Sequence, residues 1–316
     1  MTAALDLAPE VASALRDGRG VVALESTLIT HGLPWPDNVE VARASEAAVR
    51  EAGATPATVA VLGGTIRVGL ADDELDRLAR AAGCLKASRR DLAACVAGGL
   101  DAATTVAATL RVARLAGIGV MATGGLGGVH RGAGTTFDIS TDLDELARAD
   151  GMALVCSGVK SILDIPATLE LLETRGVLVV GYGTGTFPAF TSTSSGRPVE
   201  HRVDTPADAA RLVRAHRDLG QPGAVVLAQP VDPALAVPDD LMAAAIAAAL
   251  AAADRAGVTG KGATPFLLDE VRRATGGRSL AANKALIVAN ARLAGQVAAE
   301  LATSPPARPH FPNEAI

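Results

Sequence analysis

Lysine is scarce in this 316-residue chain: its 29 basic residues comprise 25 Arg and only four Lys, at positions 86, 160, 261 and 284. Arg supplies the ordinary surface cations, so each Lys is a candidate for what guanidinium cannot do, which is to lose a proton and attack carbon. Aromatic residues make up 2% of the chain and the net charge is -5. This composition argues against a base-stacking platform or a polyanion-binding surface, and no nucleic-acid partner is expected. Cys84, Cys95 and Cys156 are odd in number, far apart and without a C-x-x-C pair, which speaks against a disulfide framework and a cysteine zinc site. No apolar run of about 20 residues is free of charges or Gly/Pro breaks, and Asp6 and Glu10 interrupt the start where a secretion signal would be basic and then apolar. The expectation is a soluble cytoplasmic protein with no membrane partner.

What is present is a large apolar fraction, 49%, enough to bury a sizeable core. Apolar runs at 21–25, 58–62, 119–122, 153–156, 177–180 and 224–228 read as strands. Stretches of helical period fall at 38–52, 72–82, 104–115, 161–175, 206–219, 239–256, 264–275 and 280–302. The alternation predicts an α/β fold, a mainly parallel or mixed sheet covered by helices on both faces. No repeat or long linker interrupts it, so residues 1–316 are expected to form one domain with frayed ends at about 1–8 and 303–316.

In such a sheet, ligands sit beyond the carboxyl ends of the strands. The first run ends in Glu25-Ser26-Thr27, where Glu25 can serve as a general acid or, more plainly, as a cap. The run ending at Ala122 leads into Thr123-Gly124-Gly125-Leu126-Gly127-Gly128-Val129-His130-Arg131-Gly132, which reads either as a phosphate loop or as plain turns. Neither a dinucleotide fingerprint nor a Walker loop is present, since His130, Thr186 and Gly262 stand where those motifs need other residues. Asp138 and Asp142 are four apart with hydroxyls between them. An isolated Asp suits a hard ion that keeps its water, Mg or Mn, while Ser140 or Asp142 also reads as a helix N-cap. Lys160 follows the run 153–156 at a strand-to-helix junction, where apolar surroundings and a neighbouring cation would free its amine, and it is the first choice of nucleophile.

Seven segments carry a resemblance: VALESTLITHG (22–32), ASRRDL (87–92), ATTVAAT (103–109), ATGGLGGVHRGAGTTFDIS (122–140), CSGVKSILD (156–164), GKGATPFLL (260–268) and SLAAN (279–283). With them the chain resembles the pseudouridine-5'-phosphate glycosidase family, also called indigoidine synthase A-like, from about Val21 to Ala302. The resemblance implies a three-layer α/β/α sandwich assembled as a homotrimer. It implies a catalytic acid at Glu25, a Schiff-base lysine at Lys160 and a metal-binding aspartate at Asp138, usually holding one Mn2+ per subunit, with Mg2+ as an alternative. Substrate contacts are implied at Lys86, Thr105, Val106, Thr123, His130, Ser140, Thr141 and Asp142, and Asn283 is implied near the uracil. Gly262-Ala263 and Gln229 depart from the commoner residues, and the loop 183–195 is variable.

The implied reaction breaks a carbon–carbon bond between uracil and ribose 5-phosphate, which has no heteroatom leaving group for two-carboxylate hydrolysis. A covalent amine route avoids this difficulty. Lys86, His130 and glycine-loop N–H groups would anchor the phosphate, and a pseudouridine kinase would be the pathway partner. Rival readings are the same chemistry on a related glycosyl phosphate, a class I aldolase, and a non-catalytic sugar-phosphate sensor.

Overall fold

Successive residues of the buried runs alternate between two apolar environments, as the period of two in a strand requires. Val22, Leu24, Val120, Ala122 and Val155 share one cluster with Ala291, Ala294 and Val297 of the long helix Arg278–Thr303. Val21, Ala23, Met121, Leu154 and Cys156 join another with Leu110 and Val112 of the helix Val106–Ala116 and Leu172 of Ile165–Thr174. Both faces of the sheet are therefore covered, giving the three-layer α/β/α sandwich. This is a computed structural model, and it describes residues 5–81, 83–258 and 260–303.

The described strands are β1 (Leu5–Leu7), β2 (Val21–Leu24), β3 (Thr55–Leu62), β4 (Thr65–Val68), β5 (Leu85–Ala87), β6 (Ala102–Thr104), β7 (Val120–Ala122), β8 (Ala153–Cys156), β9 (Leu178–Tyr182), β10 (His201–Val203) and β11 (Val225–Ala228). They run in the order β1-β4-β3-β2-β7-β8-β11-β9-β10, with β6 also pairing β3, and β5 pairing β6. From β3 to β10 every neighbour is parallel, while β4 and β6 pair β3 antiparallel. The expected mixed, mainly parallel sheet is what forms.

The place where the two directions meet positions the site. β3 pairs with β2 through Thr58 and continues past its end, where β6 takes over opposite Ala60 and Val61. β2 and β6 thus approach head-on. Ser26 N donates to Thr104 O, Thr104 N donates to Ser26 Oγ, and the hydroxyls of Ser26 and Thr104 both donate to Val59 O. The carboxyl ends of β2, β6 and β5 consequently converge, which gathers Glu25, Thr105 and Lys86.

Two expectations change. The helix read as 161–175 begins at Ile165, because Asp164 caps it by accepting from Ala167 N and Pro166 occupies its first turn, so Lys160 lies in a turn rather than at a helix start. Within the amino-terminal end expected to fray, about 1–8, Leu5–Leu7 form β1, paired parallel with β4. The carboxyl-terminal end expected to fray lies, from residue 304 on, outside the described residues. Among the described residues no helix is long and apolar enough to cross a membrane.

Candidate active site

Beyond the ends of β2, β5, β6, β7 and β8 lies a cavity of about 360 Å³. Eleven of the twelve residues singled out from the sequence line it: Glu25, Lys86, Thr105, Val106, His130, Asp138, Ser140, Thr141, Asp142, Lys160 and Asn283. The twelfth, Thr123, stands behind the wall and donates its hydroxyl to Glu25 Oε1. Residues that the sequence reading passed over also line it, notably Thr27, His31, Ser88, Arg90 and Phe190.

Glu25 is 9% exposed, yet both of its oxygens are satisfied: Thr123 Oγ1 donates to Oε1 and Thr27 Oγ1 to Oε2. Lys160 sits four residues past the end of β8, on a segment that continues the β7–β8 pairing in irregular form. Ser157 N donates to Gly124 O, Leu126 N to Gly158 O and Lys160 N to Leu126 O. Its Nζ donates to Gly125 O at 2.6 Å, so the amine is held against the glycine loop. A fully buried amide pins this assembly from the opposite layer. Asn290 Nδ2 donates to Thr123 O at 2.9 Å and to Ser157 Oγ at 3.1 Å. Its only trace in the sequence is a polar residue within the apolar run 286–291.

The glycine loop does not serve mainly as an anion cradle. The N–H groups of Leu126, Gly127, Val129 and His130 donate to Gly158 O, Asp142 Oδ2, Thr168 Oγ1 and Asp138 O. Its glycines reflect close packing instead. A Cβ on Gly127 would stand 2.2 Å from Ser140 Oγ, and one on Gly125 would stand 2.6 Å from the Phe190 ring. Arg131 at the end of the loop donates its Nε to Ile162 O at 3.3 Å.

The residues at 138–142 divide between cavity and scaffold. Ser140 is the N-cap of the helix Thr141–Leu146. Asp142 is 6% exposed and accepts from Ala107 N at 3.0 Å and Gly127 N at 2.9 Å, tying the start of helix Val106–Ala116 to the loop. Thr105 caps that helix. Thr141 Oγ1 and Ser88 Oγ are 2.8 Å apart, and Arg89 reaches the buried Glu145 at 3.1 Å, which staples the arm 86–91 to the arm 138–146.

Asp138 is 40% exposed, with His130 Nδ1 3.8 Å from its Oδ2. Burial holds His130 below the usual imidazole range, and the ammonium groups of Lys160 and Lys86 push the same way, while Asp138 pulls against them. Among the described residues no three His, Cys, Asp or Glu side chains group to hold a metal. Asp138, partly exposed at the cavity, is a carboxylate that could hold a hard, largely hydrated divalent ion. His31 is held below the usual range by burial and by Lys86. Cys156 is fully buried and its thiol is pushed up to about 12, so it is inert. Of the lysines, Lys284 is paired with Asp37, whereas Lys86 and Lys160 face the cavity.

Residues 10–300 match the family model described as indigoidine synthase A like protein. A pseudouridine-5'-phosphate glycosidase of Methylobacterium nodulans is 56% identical over 297 residues, covering 94% of this chain and 88% of the relative. One of Deinococcus radiodurans is 55% identical over 298 residues, covering 94% and 95%. Among solved structures, the prealnumycin C-glycosynthase AlnA in complex with ribulose 5-phosphate superposes with a TM-score of 0.87 at 43% identity, covering 94% of this chain and 97% of that one. An indigoidine synthase A-like protein of Thermotoga maritima gives 0.87 at 35% identity, covering 96% and 98%. With its fold, the convergence of its motifs on one cavity and matches of this extent, the chain belongs to the pseudouridine-5'-phosphate glycosidase, or indigoidine synthase A-like, family.

Proposed function

We propose that this protein reversibly cleaves the C–C glycosidic bond of pseudouridine 5'-phosphate, giving uracil and ribose 5-phosphate through a Schiff base on Lys160. The observation that carries the proposal is the meeting in one cavity of a buried carboxylate, Glu25, and a lysine, Lys160, delivered by different strands, with Lys86 beside them. An amine and a proton donor are what a C–C glycoside requires.

Glu25 gives a proton to the ring oxygen as the C1'–O4' bond opens, and the Lys160 amine, leaving Gly125 O, forms a bond to C1'. The Lys160 nitrogen, now bonded to C1', returns a proton to the Glu25 carboxylate; passed from there to uracil C5, that proton takes the electron pair of the breaking C1'–C5 bond, and the nitrogen lone pair closes the C1'=N iminium. Water then releases ribose 5-phosphate and the free amine. Lys86 is the phosphate anchor, with Thr105, Val106 and residues 140–142 shaping the sugar end and Asn283 the uracil end. When bound at Asp138, Mn2+ or Mg2+ supplies positive charge and ordered water to the sugar-phosphate end.

The protein works in the cytoplasm as a homotrimer of single-domain subunits, downstream of a kinase that phosphorylates pseudouridine. The AlnA relative, a C-glycosynthase at 43% identity, supports a second reading in which a related ring replaces uracil as the carbon partner. The test is uracil release from pseudouridine 5'-phosphate with Mn2+, repeated with Lys160→Ala and with borohydride. Release that is lost in Lys160→Ala, with a ribose-phosphate adduct trapped on Lys160, is expected. No release by the wild type would refute the substrate and favour another ring.

A further inference from the structure

Glu25 is held by two hydroxyls of different origin. Thr123 ends β7's extension and is itself fixed by Asn290 Nδ2, which donates to Thr123 O at 2.9 Å, so its hydroxyl is a stationary jaw. Thr27 lies two residues beyond Glu25, directly before the turn Leu28–Gly32, and lines the cavity as Glu25 does. Both threonines are buried, at 3% and 8% exposure. Ser26, between Glu25 and Thr27, is locked on Val59 O at 2.6 Å, which fixes the backbone that carries both side chains.

From this geometry we infer that Thr27 and Thr123 are positioning residues for Glu25, a clamp that fixes the direction in which the carboxyl group exchanges its proton with substrate. The inference rests on the reading of Glu25 as the catalytic acid. A Glu side chain has three rotatable bonds and sweeps several ångströms when only its stem is packed. A hydroxyl on each oxygen removes that freedom and leaves one edge of the carboxyl group toward the cavity. With one hydroxyl on each oxygen, the clamp persists when Glu25 is protonated: the hydroxyl on the unprotonated oxygen keeps donating while the acid proton stays free for substrate. Glu25 can therefore change protonation state without losing its orientation, as a group that first gives and then regains a proton must. Thr27 is the more exposed jaw and the one that lines the cavity.

The test measures steady-state kinetics on pseudouridine 5'-phosphate, ribose 5-phosphate affinity by calorimetry, and melting temperature for Thr27→Val, Thr27→Ser, Thr123→Val and Glu25→Gln. Thr27→Val is isosteric and removes only the hydroxyl. It is expected to lower kcat by about 10- to 100-fold, the scale on which misplaced catalytic groups act. KM and ribose 5-phosphate affinity should stay within about twofold, and Thr27→Ser should recover most of the rate. Thr123→Val should behave in the same way. Wild-type kcat in both valine variants, with Glu25→Gln inactive, would overturn the clamp and leave the role of Glu25 standing. A kcat loss matched by equal losses of ligand affinity and melting temperature would also overturn it, since that is the signature of a merely structural residue. An active Glu25→Gln would overturn the reading beneath it, and the clamp too.

Discussion

Replacing Asp142 by alanine tests whether this residue meets ligand or holds the site together. Its carboxylate accepts from Ala107 N at 3.0 Å and Gly127 N at 2.9 Å and is 6% exposed. Bonds from backbone N–H groups to a buried charged acceptor contribute about 1.5–3 kcal/mol each. Losing both, with two donors left orphaned, costs about 3–5 kcal/mol. An unfolding entropy of about 2.1 cal/mol/K per residue, applied to 316 residues, turns this into a melting temperature lower by roughly 5–8 °C. Asp142→Asn keeps one acceptor oxygen but turns an NH2 group toward the other N–H, so a loss of about 2–4 kcal/mol is expected. The assay is thermal and urea unfolding, with ribose 5-phosphate titrated calorimetrically in parallel. Alanine-variant melting within about 1 °C of wild type, together with a large loss of ribose 5-phosphate affinity, would refute the scaffold role and return Asp142 to direct ligand contact.

Gly127→Ala places a methyl group 2.2 Å from Ser140 Oγ and 2.7 Å from Asp142 Oδ2, both pinned by hydrogen bonds. Destabilisation of about 1–3 kcal/mol with weakened ribose 5-phosphate binding is expected, and wild-type unfolding would contradict the packing. Burial raises the Glu145 pKa above its ordinary value, with Arg89 and Arg114 opposing less strongly. The folded state therefore binds this proton more tightly, so the group favours folding below the usual carboxylate value and that contribution is lost as pH rises through the raised one. Glu145→Gln should accordingly flatten the fall in stability as pH rises above about 4.5. Urea midpoints across that range check this, and a fall as steep in the variant as in the wild type would exclude it. Asp138→Asn is expected to weaken Mn2+ binding more than about tenfold in equilibrium dialysis of the metal with the protein alone, whereas equal binding by both proteins would remove Asp138 as the anchor.

Much of the fold was legible because the central strands are short, continuously buried apolar runs. The run 153–156 and the helix Asp239–Ala256 appear with the boundaries read from the sequence. β1 (LDL), β4 (TIRV), β5 (LKA) and β10 (HRV) each carry a charged residue, and β6 (AAT) holds only Ala and Thr, so none stands out as an apolar run. β3 was read from Thr58, after Pro56, yet the strand starts at Thr55 and Pro56 pairs in register with Val22. A proline tolerated in a ladder is decided by the neighbouring strands, which a local reading does not contain.

The site divides along the same line. Sequence by itself determined which residue types the chemistry needs and where the rare ones stand. Four lysines among 29 basic residues directed attention to Lys86 and Lys160, and the rare motifs to Glu25 and Asp138. Tertiary structure alone decided what each side chain touches. It set Thr123 on Glu25 across 98 residues and Asn290 on Thr123 across 167, and it turned Asp142 and much of the glycine loop toward one another rather than toward an anion. The physical reason is that a hydroxyl, an amide or a backbone N–H takes its role from the partner within about 3 Å, and that partner is chosen by where strands end in space rather than by spacing along the chain.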